Sequence, residues 1–221
     1  MSMVLKTKKI GVKKVTGSKG KIAYKGLLVL VAGPSGVGKG TVIQRLKEIF
    51  PKFVYPISCT TREMRPGEKD GQVYHFITKR KFLNGIKKGD FLEYACVHEV
   101  NYYGTPKKPI VDGLKKGKVV VREVDVQGFH AIRKAVPKRN LLTVFLHAKS
   151  RKALIQRILK RSKLSREEVK RRMESADREM KDMHLFDYKV WSRENEVERC
   201  VADVVALIKK GAEKMGIKLA S

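Results

Sequence analysis

The sequence predicts an α/β fold, a parallel sheet flanked by helices, and three observations predict it. The run Leu27 to Ala32 (LLVLVA) has strand length and no polar face; a glycine-rich turn follows it directly; further apolar runs then alternate with helical stretches. A strand that is apolar on both faces belongs inside a sheet covered on both sides, and strands alternating with helices form parallel sheets.

Taken in order, residues 1–25 carry eight lysines, at 6, 8, 9, 13, 14, 19, 21 and 25, and no acidic residue, which predicts a flexible basic tail. After the strand and the glycine turn, Val42, Ile43, Leu46, Ile49 and Phe50 recur at helical spacing until Pro51 stops the helix. Residues 58–105 are richer in aromatics, Gly and Pro, with short strand-like pieces YHFIT and FLEYACV, and read as an inserted substrate-binding piece. The runs 119–121 (VVV) and 141–146 (LLTVFL) supply further strands, and a charged helical region runs from Arg151 to about Met183, interrupted near Ser162 to Ser165.

At 221 residues with 42% hydrophobic content, the chain can bury one substantial core. The reading is one domain over 26–215, preceded by the 1–25 tail and followed by a 216–221 end. Fifty Lys and Arg against 22 Asp and Glu give a formal charge of +28, which favours phosphate-bearing partners. Cys59, Cys96 and Cys200 form no CxxC pair, so neither a disulfide framework nor a zinc site is indicated, and His98, His130, His147 and His184 lack metal-ligand spacing. No apolar run approaches the roughly 18 to 20 residues of a membrane span, so the expectation is a cytoplasmic protein without membrane contact, as a monomer or homodimer.

The turn Gly33-Pro34-Ser35-Gly36-Val37-Gly38-Lys39-Gly40-Thr41 lies between strand and helix, where a phosphate-binding P-loop must sit. Its glycines let successive N–H groups curl around an anion at a helix N-terminus, and Lys39 can reach β and γ phosphates. Where the strict pattern has Ser or Thr after the lysine, this chain has Gly40, which leaves Thr41 as the candidate magnesium contact. Next comes Ser58-Cys59-Thr60-Thr61-Arg62-Glu63-Met64-Arg65-Pro66-Gly67-Glu68, with Tyr74 and Phe76 beyond it. Two arginines three apart, beside a serine and a tyrosine, form a cradle for a second phosphate, because guanidinium forks match phosphate oxygens.

With Phe91-Leu92-Glu93-Tyr94-Ala95, Asn101-Tyr102-Tyr103-Gly104-Thr105 and Val124-Asp125-Val126-Gln127-Gly128 following in this order, the chain resembles the guanylate kinases over roughly Leu27 to Ile208. The resemblance implies a P-loop NTPase core, a GMP-binding subdomain at 58–105 and a helical lid at 158–172. It implies ATP as phosphate donor, Mg2+ as the metal, and GMP or dGMP as acceptor. It places Ser58, Arg62, Arg65, Tyr74 and Tyr103 on the GMP phosphate, and Glu93, Thr105 and Glu123, with Asp125 beside them, at the guanine. Guanine offers N1–H and its exocyclic amine as adjacent donors to one carboxylate, a pair adenine lacks. Lys39 and Arg62, with Arg161 and Arg172 as the lid arginines, are the expected catalytic cations.

Four places depart from the family pattern. Gly40 replaces a serine, Glu123 stands for the first aspartate of D-x-D, the interval from Glu93 to Asn101 is one residue longer, and Ser192 takes the place of an adenine-side asparagine. Gly40 and Ser192 leave room for a kinase of ribose bisphosphate type on the same scaffold, a non-catalytic interaction module of the same family is a second alternative, and the charge alone permits weak nucleic-acid association through the tail.

Overall fold

The computed structural model describes residues 24–97, 100–161, 165–193 and 195–219, so the 1–25 tail lies almost wholly outside the described residues. Strand β1 (Leu27–Ala32) is buried at all six positions. It pairs in parallel with β6 (Val119–Glu123) on one side and β7 (Leu141–His147) on the other, and β7 pairs in parallel with β8 (Tyr188–Trp191). Val54 extends the sheet beyond β6 through Val54 N–H to Val119 O (3.0 Å) and Val121 N–H to Val54 O (2.9 Å).

Alternation along β1 divides the core. Leu27, Val29 and Val31 pack with Val42 and Leu46 of α1 (Lys39–Ile49), Leu154 and Ile158 of α5 (Arg151–Arg161), and Val204 and Ile208 of α7 (Val197–Lys214). Leu28 and Leu30 pack on the opposite face with Ile110 and Leu114 of α3 (Lys107–Lys115) and Phe129 and Ile132 of α4 (Val126–Ala135). Two covered faces account for an unbroken apolar run where a half-exposed strand would alternate. Each of these fully buried aliphatic side chains contributes about 1.5–3 kcal/mol relative to exposure, as an upper bound.

The inserted piece forms a second, mixed sheet in the order β3-β2-β5-β4, from β2 (Ser58–Thr60), β3 (Tyr74–Phe76), β4 (Phe91–Val97) and β5 (Asn101–Pro106). The piece YHFIT is strand only to Phe76, because Thr78 turns away to cap α2 (Lys79–Lys88), its hydroxyl accepting from Lys81 N–H. Phe82 of α2 is fully buried and stacks on Phe91 of β4, with ring centroids 4.3 Å apart. The charged region is two helices, α5 and α6 (Arg166–Lys181), the latter capped by Ser165 through Glu168 N–H at 3.2 Å.

Candidate active site

The glycine turn leaves the carboxyl end of β1, which lies between β6 and β7 where the sheet order reverses, the position at which open α/β sheets bind ligands. At Gly33 the backbone has φ 141° and passes so close to β7 that an added Cβ would stand 2.3 Å from Leu146 O. Gly38 caps α1 in the left-handed region at φ 105° without any side-chain cap, which leaves the first N–H groups of α1 to an incoming anion. Lys39 curls back over the turn, donating to Gly33 O (2.6 Å) and Pro34 O (3.3 Å), and lies 3.9 Å from Glu123 at the end of β6. Gly40 is exposed and a Cβ there would meet nothing within 4 Å, so packing does not forbid a serine at this place.

On the second sheet, Glu68 organises the arginine pair. One carboxylate oxygen accepts from Arg62 Nη2 (2.9 Å) and the other from Arg65 N–H (2.8 Å). The Arg62 bond holds the Glu68 carboxyl below its ordinary range and raises the Arg62 guanidinium in return. Arg62 lies over the rings of Tyr74 (5.7 Å) and Phe76 (5.4 Å), and Tyr74 meets Tyr103 edge to face at 5.7 Å. Arg62, Tyr74 and Tyr103 thus share one face, while the Arg65 side chain stands exposed at its margin.

Glu93 on β4 is in register with Thr105 on β5, whose hydroxyl donates to its carboxylate. The antiparallel register also pairs Ala95 with Tyr103 and Val97 with Asn101. Burial pushes the Glu93 carboxyl above the usual carboxylate range, against the Thr105 bond and the charge of Arg122. Arg122, one residue before Glu123 on β6, reaches into the second sheet: Nη1 donates to Pro56 O (3.0 Å), and Nη2 to Ser58 Oγ and to Thr105 Oγ1 (3.0 Å). Asp125 is the N-cap of α4, Oδ1 accepting from Gly128 N–H at 2.6 Å, and a Cβ at Gly128 would stand 3.7 Å from the Glu93 carboxyl carbon. The D-x-Q-G segment therefore caps a helix and keeps its first turn open to Glu93.

On the far side of the turn, Arg157 of α5 donates to Ser192 Oγ (3.0 Å), Ser192 O (2.8 Å) and Val37 O (3.4 Å), and the buried Ser192 hydroxyl donates to Val37 O at 2.7 Å. These bonds tie α5 and the end of β8 to the glycine turn beside a cavity of about 330 Å³ whose walls include Gly36, Thr41, Arg157, Ser192 and Arg193. Thr41 thus faces this cavity. Along α6, Arg172 bonds Glu168 (2.9 Å), and two turns further, roughly 10 Å by helical rise, burial pushes the Glu179 carboxyl above the usual carboxylate range, against the charge of Lys39. Arg161 ends α5, and its side chain lies outside the described residues.

The structure therefore brings Ser58, Arg62, Tyr74, Tyr103, Glu93 and Thr105 to the second sheet, with Glu123 at the carboxyl end of β6, 3.9 Å from Lys39, and Asp125 two residues beyond it at the start of α4. Arg122, Arg157 and Glu179 are marked by no motif, and Glu68 only closes one. A charge breaking the apolar run VVVRE at its carboxyl end was the available signal for Arg122; Arg157 and Glu179 sit among many like residues on charged helices and had none.

A parallel sheet with this turn at the carboxyl end of its central strand, ahead of a helix N-terminus, defines a P-loop nucleotide-binding protein. The Guanylate kinase family model matches residues 25–211, and the chain belongs to the guanylate kinase family. It is 42% identical over 161 residues to the guanylate kinase of Helicobacter pylori, covering 73% of this chain and 77% of the relative. To that of Onion yellows phytoplasma it is 42% identical over 191 residues, covering 86% and 88%. The crystal structure of guanylate kinase from Anaplasma phagocytophilum shares the fold, with TM-score 0.63 at 23% identity over 84% of this chain and 85% of that one.

Proposed function

We propose that the chain transfers the γ-phosphate of ATP to GMP or dGMP, giving ADP and GDP or dGDP. The observation that carries this reading is a half-buried carboxylate, Glu93, fixed by Thr105 on the sheet that also bears Tyr74 and Tyr103, with Arg62 over the Tyr74 ring. Guanine would donate N1–H and its amine to Glu93, with Glu123 at the mouth of the site, while Ser58, Arg62, Arg65, Tyr74 and Tyr103 hold the acceptor phosphate.

ATP would place its phosphates on the N–H groups of the turn, with Lys39 moving from Gly33 O to the β and γ oxygens. The acceptor oxygen is already anionic near neutral pH, so no strong general base is needed, and catalysis is positioning and charge stabilisation. Arg172 and Arg161, carried by the 158–172 lid of the 26–215 domain, would close over the transferring group and exclude water. Among the described residues no cluster of three His, Cys, Asp or Glu forms an all-protein metal cage, which suits Mg2+ held chiefly by phosphates and waters with one or two protein oxygens. The Thr41 hydroxyl and the Glu123 carboxylate are the hard oxygens offered to it, and when bound it neutralises charge on the phosphates.

An ADP-release assay across GMP, dGMP, AMP, UMP, CMP and ribose bisphosphate tests the reading. Turnover confined to GMP and dGMP supports it, and turnover of ribose bisphosphate or of no substrate at all overturns it. The eight lysines of residues 1–25 support a separate, weak and salt-sensitive association with RNA or DNA phosphates. Removing them takes the formal charge from +28 to +20; unchanged retention on RNA across a salt titration would contradict that role. No described helix is long and apolar enough to cross a membrane.

A further inference from the structure

Arg122 is the one side chain described above that joins the core sheet to the second sheet at the acceptor site. Its guanidinium is enclosed, although the residue as a whole keeps partial exposure, and Nε is buried without a hydrogen-bond partner. Nη2 serves two hydroxyls at once, Ser58 Oγ on β2 and Thr105 Oγ1 on β5, and Nη1 serves Pro56 O. An arginine has five donors and no acceptor. A hydroxyl that accepts from it cannot donate back, so its own proton must point elsewhere. For Thr105 the acceptor in reach is Glu93 Oε1. For Ser58 the same constraint turns the proton away from Arg122, and Ser58 is in register with Tyr74, over whose ring Arg62 lies.

We infer that Arg122 is a positioning residue that sets the hydrogen-bond polarity of the acceptor site at both ends. This inference rests on the reading of that site as the GMP site. Through Thr105 it orients Glu93, leaving the second carboxylate oxygen and the remaining lone pairs of the first to the guanine donors. Through Ser58 it presents a hydroxyl donor to the anionic phosphate, which a freely rotating serine would have to turn and order on binding. The guanidinium touches neither substrate nor the transferring group; it acts through two side chains that do. Its bonds to Pro56 and Ser58 on one segment and Thr105 on another also hold both ends of the site in one placement relative to β6.

The test is a split between the two substrates. Arg122→Met keeps the length and apolar stem and removes every donor, and it is expected to raise KM for GMP about tenfold or more while KM for ATP stays within about twofold. Arg122→Lys keeps the charge and offers three donors to the three acceptors Pro56 O, Ser58 Oγ and Thr105 Oγ1, and it is expected to recover most of the loss. Circular dichroism and thermal melting report folding. Should Arg122→Met fail to fold, Thr105→Val, nearly isosteric and lacking only the relay hydroxyl, carries the same expectation for GMP. An unmoved KM for GMP in the variant that folds, or equal rises for GMP and ATP, would overturn the role of Arg122. Wild type assayed alongside separates the two claims, because absence of GMP turnover there overturns the functional reading itself.

Discussion

Glu93 and Thr105 face each other across β4 and β5, and the Thr105 hydroxyl donates to the Glu93 carboxylate. The pair places a carboxylate where burial disfavours its charge, and then supplies a hydroxyl proton, with the charge of Arg122 behind it, to keep the ionised form available. A carboxylate of this kind is poised for a ligand that brings its own donors. Guanine does so with two, whereas adenine presents an acceptor at N1 and leaves the half-buried carboxylate underpartnered.

The raised Glu93 pKa fixes the direction of a pH effect. Because the folded value lies above the ordinary 4.5, the ionised form is lost on acidification earlier than at an exposed glutamate, so kcat/KM for GMP should fall as pH drops through that raised value. Arg122 and Asp125 face Glu93 and set the value with it. For stability the sign is opposite: the folded chain binds this proton more tightly than the unfolded chain, so the fold loses stability as pH rises from 4.5 through the folded pKa. The acid limb should be missing in Glu93→Gln, apart from the part due to the phosphate of GMP, whose second pKa is about 6. An identical limb in that variant would contradict the assignment.

Lys39→Ala is expected to leave the unfolding midpoint within about 3 °C of wild type, since the lysine donates to carbonyls of its own turn and its 3.9 Å pairing is with a half-exposed Glu123. Turnover should fall by about 10²-fold or more, close to 3 kcal/mol of transition-state stabilisation. Near-normal kcat would remove Lys39 from the chemistry.

Arg157→Met should act on the other substrate. Arg157 and Ser192 together hold Val37 O, so loosening them disturbs the turn and the cavity beside it. KM for ATP is expected to rise about tenfold, as for loss of hydrogen bonds to a charged group, with KM for GMP within about twofold. Competitive displacement of a fluorescent ATP analogue measures the change directly, and an unchanged ATP affinity would count against the link.

Much of the core was legible because its signals are local. LLVLVA reads as a central strand from composition alone, and Gly33–Thr41 reads as a phosphate turn from spacing and flanks. Arg62 was legible as half of an arginine pair, whereas Glu93, Thr105 and Tyr103 were legible only as ordered motifs, since a lone glutamate in FLEYACV has nothing to distinguish it from an edge-strand carboxylate. Strand β8 was hidden because YKVW is short and mixed in polarity, and it is defined by its pairing with β7. Arg122 was hidden for a related reason: its partners are 17, 64 and 66 residues away in sequence, and only the docking of the second sheet on β6 brings them together.

The central claim, that Glu93 reads guanine, is tested most directly by kcat/KM for GMP and AMP in wild type and Glu93→Gln. Gln keeps the shape but replaces a charged acceptor pair by one oxygen and an amide donor. Wild type is expected to favour GMP by about 10³-fold or more, because AMP leaves a half-buried carboxylate with the Thr105 bond but without the two guanine donors. In the variant KM for GMP should rise far more than KM for ATP, and the preference should shrink toward unity. Wild type using AMP as readily as GMP, or a variant that discriminates as sharply as wild type, would contradict the claim.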